Sequence, residues 1–389
     1  MAGSFLFFRA QKYLVIFGGL YLALILLLTI PYFQSHALYL NAVKIPLFAD
    51  FNTPEKYGLA PNRTVNLKIQ TPDNETIGAW FILSDKYYKS LPSIPSNPAE
   101  HISPALASHP VILFFHGNAA TRAFSARVQH YQAFSTRLGA NVLAIDYRGF
   151  ADSSGTPSEK GLVTDAQAAF DWLIAHGKKP EEILVVGHSL GTGVSGQLGA
   201  KLTRDGVKCK GIVLLSPFSS IHEVLETYQM FGLIPLIKPI AVIPGAAHLI
   251  KSAVVHRFDT LKAVPNITAS VLIAHAENDW DIPHTHSDVL FQAFLEPHLP
   301  PVDTPENPFG LTTEEWDVIR AQQTLRLNKR DETVKTTTID RFGRVDEFWD
   351  AGNDSQIVLV KTFAGGHDYL GVQEGLVDII GQKFGILEI

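Results

Sequence analysis

Val185-Val186-Gly187-His188-Ser189-Leu190-Gly191 decides how this chain is read. The apolar run 183–186 breaks into Gly-x-Ser-x-Gly and then into small residues able to start a helix. A strand, a sharp turn and a helix in that order lift a serine hydroxyl above the edge of a sheet, the arrangement of a nucleophile elbow. The serine backbone is strained at such a turn. Side chains at Gly187 and Gly191 would strike the neighbouring strand and helix, so both positions call for glycine.

Outward from the elbow, short continuous apolar runs recur at 111–115, 141–145, 183–186, 212–215, 271–274 and 357–360. Runs of this kind fit parallel strands buried on both faces. Helical patterns separate them. One, over 162–175, opens with Thr156-Pro157-Ser158-Glu159, which has capping-box spacing with proline at the first helical position. The alternation predicts an α/β fold, a mostly parallel, doubly wound sheet occupying 64–389. Strands at 65–69 and 76–83 precede it, joined at Pro72-Asp73-Asn74. Two insertions interrupt the rhythm. Residues 218–258 are apolar but broken by prolines and read as a cap. Residues 296–355 are polar and read as a surface excursion with a helix near 313–327, without chemistry.

A serine hydroxyl is a poor nucleophile until a base removes its proton, and a histidine base needs a carboxylate to hold its tautomer. In this fold class the partners follow in the order serine, acid, histidine. After 271–274 comes His275-Ala276-Glu277-Asn278-Asp279-Trp280-Asp281, a strand end releasing acids into a loop. Asp279, Asp281 and Glu277 all compete for the role. After 357–360 comes Gly365-Gly366-His367, whose glycines let the loop fold over Ser189. Two N–H donors are expected for the oxyanion. The backbone of Leu190 follows the nucleophile, and that of Asn118 lies in the His116-Gly117-Asn118 loop after 111–115. His116, His188 and His275 read as structural.

Composition narrows the field. The 389 residues are 46% hydrophobic, enough for a large core, and the net charge is −6 with no basic cluster, which argues against a nucleic-acid partner. The single cysteine, Cys209, permits no intrachain disulfide or Cys-x-x-Cys site, and neither a metal nor a cofactor is expected. Residues 13–33 carry no charge and suit a transmembrane anchor rather than a cleaved signal peptide. Arg9 and Lys12 precede this span, whereas the next charge is Lys44. Positive-inside bias then puts residues 1–12 in the cytoplasm and the rest across the membrane. Residues 34–63 read as a neck near the lipid surface. Sequons at Asn62, Asn74, Asn266 and Asn353 all lie beyond the span, consistent with a glycosylated lumenal domain.

Three stretches carry a family resemblance: His116 to Arg122, Asp146-Tyr147-Arg148-Gly149-Phe150 running on to Gly161, and Gly187 to Val194. Together they resemble the α/β-hydrolase domain-containing protein 12 group, membrane-anchored monoacylglycerol and lysophosphatidylserine lipases close to the fungal Bem46-like hydrolases. The likeness is continuous over 111–220, includes Ser216-Pro217-Phe218 and resumes at 272–283. It implies Ser189 as nucleophile, Asp279 as acid and His367 as base, behind one N-terminal span with a lumenal or extracellular catalytic domain. The endoplasmic reticulum is the expected membrane. Residues 218–258 and 296–355 depart from the pattern, so no head-group preference carries over. The expected activity is ester hydrolysis of single-chain acyl lipids drawn from a bilayer, with no protein partner implied. A protein-acyl thioesterase is the alternative enzyme, disfavoured by lumenal topology. A non-catalytic adaptor is disfavoured by the intact serine, acid and histidine.

Overall fold

The computed structural model describes residues 2–227, 229–230, 234–235, 246–303 and 310–387. Besides a short pair, Gln229–Met230 with Ile234–Pro235, its strands are β1 (Thr64–Gln70), β2 (Thr76–Ile82), β3 (Val111–Phe115), β4 (Asn141–Ile145), β5 (Ile183–His188), β6 (Gly211–Leu215), β7 (Val271–Ala276), β8 (Lys335–Ile339), β9 (Gly343–Asp350) and β10 (Ser355–Thr362). They form one mixed sheet in the order β1-β2-β4-β3-β5-β6-β7-β10-β9-β8. The central strands from β4 to β10 are parallel, and antiparallel pairs flank them on both sides. The helices that frame the site are α1 (Ala2–Leu28), α2 (Pro31–Tyr39), α3 (Ser125–Arg137), α4 (Glu159–Ala175), α5 (Leu190–Arg204), α6 (Thr285–Leu295), α7 (Thr313–Thr333) and α8 (Glu374–Lys383).

The apolar runs have a direct reason. Side chains alternate across a strand, so a strand covered on both faces must be apolar at every position. Val111, Leu113 and Phe115 of β3 join one core with Ile183 and Val185, beneath α4, α5 and α6. Ile112, Phe114, Leu184 and Val186 join the other, beneath α3 and α8.

Two local expectations need correction. The helix expected to open at Thr156, with Pro157 as its first residue, begins instead at Glu159, and its N-cap is Ser158, whose Oγ accepts from the Gly161 N–H. Glu159 does not close a box with Thr156; it accepts from the backbone N–H groups of Arg257 and Phe258 instead. The polar stretch before β10 holds more than the expected helix. After α7 the chain adds β8 and β9 to the sheet. Every residue of β8 is exposed, so burial leaves no apolar alternation to betray the strand, and only its threonines hint at one. Of the expected cap, helices Ile221–Thr227 and Ala246–Ser252 are described, and much of the remainder lies outside the described residues.

At the N-terminus, Gln11–Leu28 of α1 is long and apolar enough to cross a membrane. Pro31, which has no N–H to donate, then begins α2.

Candidate active site

Because β3, β5, β7 and β10 are parallel, the loops leaving their C-terminal ends meet along one edge of the sheet. Ser189 stands between β5 and α5 with φ 53° and ψ −120°, a conformation that side chains make costly. The turn is held by the Ser189 N–H on Leu215 O at 3.0 Å and by the Thr192 N–H on Ser189 O at 2.8 Å. Its glycines are obligatory on steric grounds. A Cβ at Gly187 would lie 2.3 Å from Gly191 O, and one at Gly191 would lie 2.1 Å from Phe115 O.

Asp279 and His367 are brought together from the loops after β7 and β10. Asp279 Oδ2 is 2.8 Å from His367 Nδ1, and Asp279 Oδ1 accepts the N–H groups of Asp281 and Ile282, each at 2.9 Å. The Asp279 carboxylate is fully buried. His275 backs it, with Nε2 3.2 Å from Asp279 Oδ2 and 2.9 Å from Ile282 O. Both neighbours of that nitrogen are acceptors, so Nε2 carries a proton, and His275 Nδ1 lies 2.7 Å from Ser287 Oγ on the far side of the ring. Burial works against the Asp279 anion, yet the His275 and His367 hydrogen bonds hold its carboxyl well below the usual carboxylate range. Burial also works against charge on His367. Asp279, through its bond and its charge, outweighs that with help from Asp281 and Asp368, and the imidazole is raised above its ordinary value. Asp281 and Glu277 are exposed, and neither makes a hydrogen bond to the ring.

With Nδ1 committed to Asp279, His367 Nε2 is the nitrogen available to Ser189. Both residues line one cavity of about 390 Å³, but no hydrogen bond joins them in this structure. Such contacts are often loose before substrate binds and tighten with it. The His367 backbone is fixed by its carbonyl, which accepts from His188 Nε2 at 2.8 Å and Ser216 Oγ at 3.4 Å. Burial, with the neighbouring His367 and His130, pushes His188 well below its usual pKa, so it donates as a neutral ring.

The expected oxyanion donors lie on the same cavity. Leu190 is the first residue of α5, where backbone N–H groups have no helical partner. The Asn118 loop abuts the nucleophile closely enough that a Cβ on Gly117 would be 3.1 Å from Ser189 Cβ. Arg127 of α3 organises this loop. Its Nη2 donates to Gly117 O at 3.2 Å, Asn118 O at 2.9 Å and Ala119 O at 2.7 Å. A planar trans peptide points its N–H opposite to its C=O, so the contact that fixes Gly117 O also fixes the direction of the Asn118 N–H. From the other side the neck accepts the next donors: Ala119 N–H on Tyr39 O at 2.8 Å, Ala120 on Val43 O at 2.7 Å and Thr121 on Ile45 O at 3.1 Å. His116 is structural as expected, fully buried with Nε2 3.2 Å from Asp146, which also pairs with Arg122.

Sequence reasoning missed Arg127 and the neck carbonyls. Arg127 had a usable signal. It shares the buried face of α3 with Tyr131 and Phe134, an odd place for a cation without a purpose. The carbonyls had none. A second depression, of about 620 Å³ beside Ser158, Glu159 and Gln197, lies away from the elbow, and its Ser158 Oγ is a helix cap.

Residues 110–236 match the family model for the alpha/beta hydrolase fold. The chain is 34% identical to lysophosphatidylserine lipase ABHD12 of Bos taurus over 71% of its own length and 67% of the relative's. It is 30% identical to protein ABHD12B of Homo sapiens, covering 66% of this chain and 68% of that one. Among solved structures, an alpha-beta hydrolase from Vibrio vulnificus superposes with a TM-score of 0.51 at 17% identity, over 91% of this chain and 92% of that one. That likeness supports the fold alone.

Proposed function

Because the chain belongs to the lysophosphatidylserine lipase ABHD12 family of serine ester hydrolases, we propose that it is a membrane-anchored enzyme cleaving single-chain acyl lipids, monoacylglycerol or lysophospholipid, through Ser189, His367 and Asp279. One observation carries this reading: an elbow serine shares an apolar-walled cavity with a histidine whose other nitrogen is bound to a buried carboxylate. Leu38, Leu40, Ile45, Phe124, Phe218 and Ile282 supply the apolar wall.

The steps follow from the atoms present. His367 Nε2 takes the Ser189 proton as Oγ bonds to the acyl carbon. The negative charge moves to the carbonyl oxygen, within reach of the Leu190 and Asn118 N–H groups. Asp279 steadies the imidazolium without taking its proton. The C–O bond to the head group then breaks, and that oxygen leaves with the proton from His367. Water gives a proton to His367 and attacks the acyl-enzyme, and the fatty acid departs as Ser189 recovers its proton.

We further propose that α1 anchors the chain, with residues 1–12 cytoplasmic and the catalytic domain lumenal or extracellular, in the endoplasmic reticulum membrane. The exposure of all four sequon asparagines supports this, since each is open to modification. Fluorophosphonate labelling of the full chain tests the enzyme, with labelling expected in the wild type and lost in Ser189→Ala. A label that persists in the variant overturns the nucleophile. A panel of monoacylglycerol, lysophosphatidylserine and acyl-thioester peptide then tests the substrate class, and a preference for the thioester overturns it.

A further inference from the structure

The neck is a built part of the catalytic domain, and this fixes how the cavity stands relative to the anchor. Gln34 Nε2 donates to Ala253 O at 3.2 Å, Val255 N–H donates to Gln34 Oε1 at 2.7 Å, and Ser35 Oγ lies 3.1 Å from His256 Nε2. Tyr39 at the end of α2 is fully buried, and its carbonyl accepts from the Asn118 loop at Ala119. The nine residues of α2 rise about 1.5 Å each, or roughly 14 Å in all. The oxyanion loop is therefore about one short helix away from the end of α1.

Next to that loop the neck exposes an apolar series: Leu40, Val43, Ile45, Leu47 at 73% and Phe48 at 99% exposure. Leu40 and Ile45 of this series also line the cavity. Between Tyr13 and Val43 there is no charged side chain, and Lys44 Nζ is tied to Ala151 O at 2.7 Å. Trp280, 80% exposed, stands beside the cavity-lining Asp281 and Ile282. Contiguous exposed apolar side chains on a folded domain mark a binding surface, and aromatic and aliphatic side chains of this kind settle in the headgroup layer of a bilayer.

We propose that Leu40, Val43, Ile45, Leu47, Phe48 and Trp280 form a rim that seats in the bilayer crossed by α1, so that the cavity opens onto lipid rather than water. The inference rests on the membrane-anchor reading above. It adds a fixed orientation: a single-chain lipid moves from the bilayer leaflet on the catalytic domain's side past Leu40 and Ile45 to Ser189 without crossing water.

The test uses the full chain in phosphatidylcholine vesicles, with Phe48→Cys carrying an environment-sensitive fluorophore. Cys209 is buried and its thiol is pushed up to about 11, so the label goes to position 48. The same label at Ile339→Cys, on the exposed edge strand β8, serves as the water-facing control. The expected result is a blue-shifted emission at position 48 that loses most of its intensity to nitroxide lipids and little to aqueous iodide, with the reverse at 339. Iodide quenching at 48 overturns the docking, because the rim then faces water. Protection from both quenchers also overturns it, because protein then covers the rim. Alkaline carbonate separates the two readings. A chain released by carbonate overturns the anchor and the docking with it, whereas a retained chain with a water-exposed label overturns the docking alone.

Discussion

Arg127 Nη2 lies 3.2 Å from Gly117 O, the carbonyl of the peptide whose N–H belongs to Asn118, and Asn118 lines the cavity beside Ser189. All three carbonyls of the loop, at Gly117, Asn118 and Ala119, lie within hydrogen-bonding distance of this one buried nitrogen, so a single side chain ties the loop to α3. The loop's carbonyls and N–H groups are satisfied by different parts of the chain, the carbonyls by Arg127 of α3 and the N–H groups of Ala119, Ala120 and Thr121 by the neck. The donor is therefore set by packing rather than by its own residue type.

Replacing Arg127 with methionine should lower kcat by about 10²–10³-fold, the usual cost of one oxyanion donor, with KM changed much less. Rates are to be counted per site titrated by a fluorophosphonate. If the loss lies only in the fraction of titratable protein and kcat per site is normal, Arg127 merely supports the fold.

The acid is tested by comparing Asp279→Asn with Asp281→Asn. The first should cost about 10⁴-fold in kcat, because an amide at the buried position favours the wrong tautomer of His367. The second removes an exposed charge that does not bond the ring and should cost less than about tenfold, as screened surface charges do. The reverse ranking would move the acid to Asp281.

The pH profile has a definite sign. His367 must be neutral to accept the Ser189 proton, so kcat/KM rises with pH as the imidazole loses its proton. Its pKa is raised by Asp279, Asp281 and Asp368 against the effect of burial, so the midpoint of this limb should lie above the ordinary histidine value of about 6.5. Removing the Asp281 charge should move the midpoint to lower pH. A midpoint below the ordinary value in the wild type would contradict the arrangement.

Truncation separates anchor from neck. A chain starting at Pro31 keeps the carbonyls of Tyr39, Val43 and Ile45 on the oxyanion loop and should still hydrolyse a water-soluble short-chain ester. A chain starting at Leu47 loses all three acceptors and should fall by about 10²-fold or more in kcat, the scale of a lost donor. Equal activity in the two chains would show that the loop holds its shape without the neck.

Much of the scaffold was legible in advance because its signals are local. Strand β3 was bounded to the residue, since a strand buried on both faces must be apolar throughout and the run ends at Pro110 on one side and His116 on the other. The elbow was legible for the same kind of reason, as only glycine fits beside Phe115 O and Gly191 O. Strand β8 was illegible because it is exposed along its whole length and borders the sheet, so nothing in its composition is forced by burial.

The chain's order of residues by itself determined the strand rhythm, the strained serine, the histidine loop and the charge-free N-terminal stretch, since each answers to backbone sterics or to burial within a few residues. The resemblance already favoured Asp279, but only the tertiary structure put its carboxylate, and not that of Asp281 or Glu277, on the His367 ring, set Arg127 against the carbonyls of the 117–119 loop and laid the neck carbonyls on that loop's N–H groups. Those choices depend on where a carboxylate, a guanidinium or a backbone carbonyl points across tens to hundreds of residues. Every residue carries a carbonyl, so its role as an acceptor leaves no mark on the sequence.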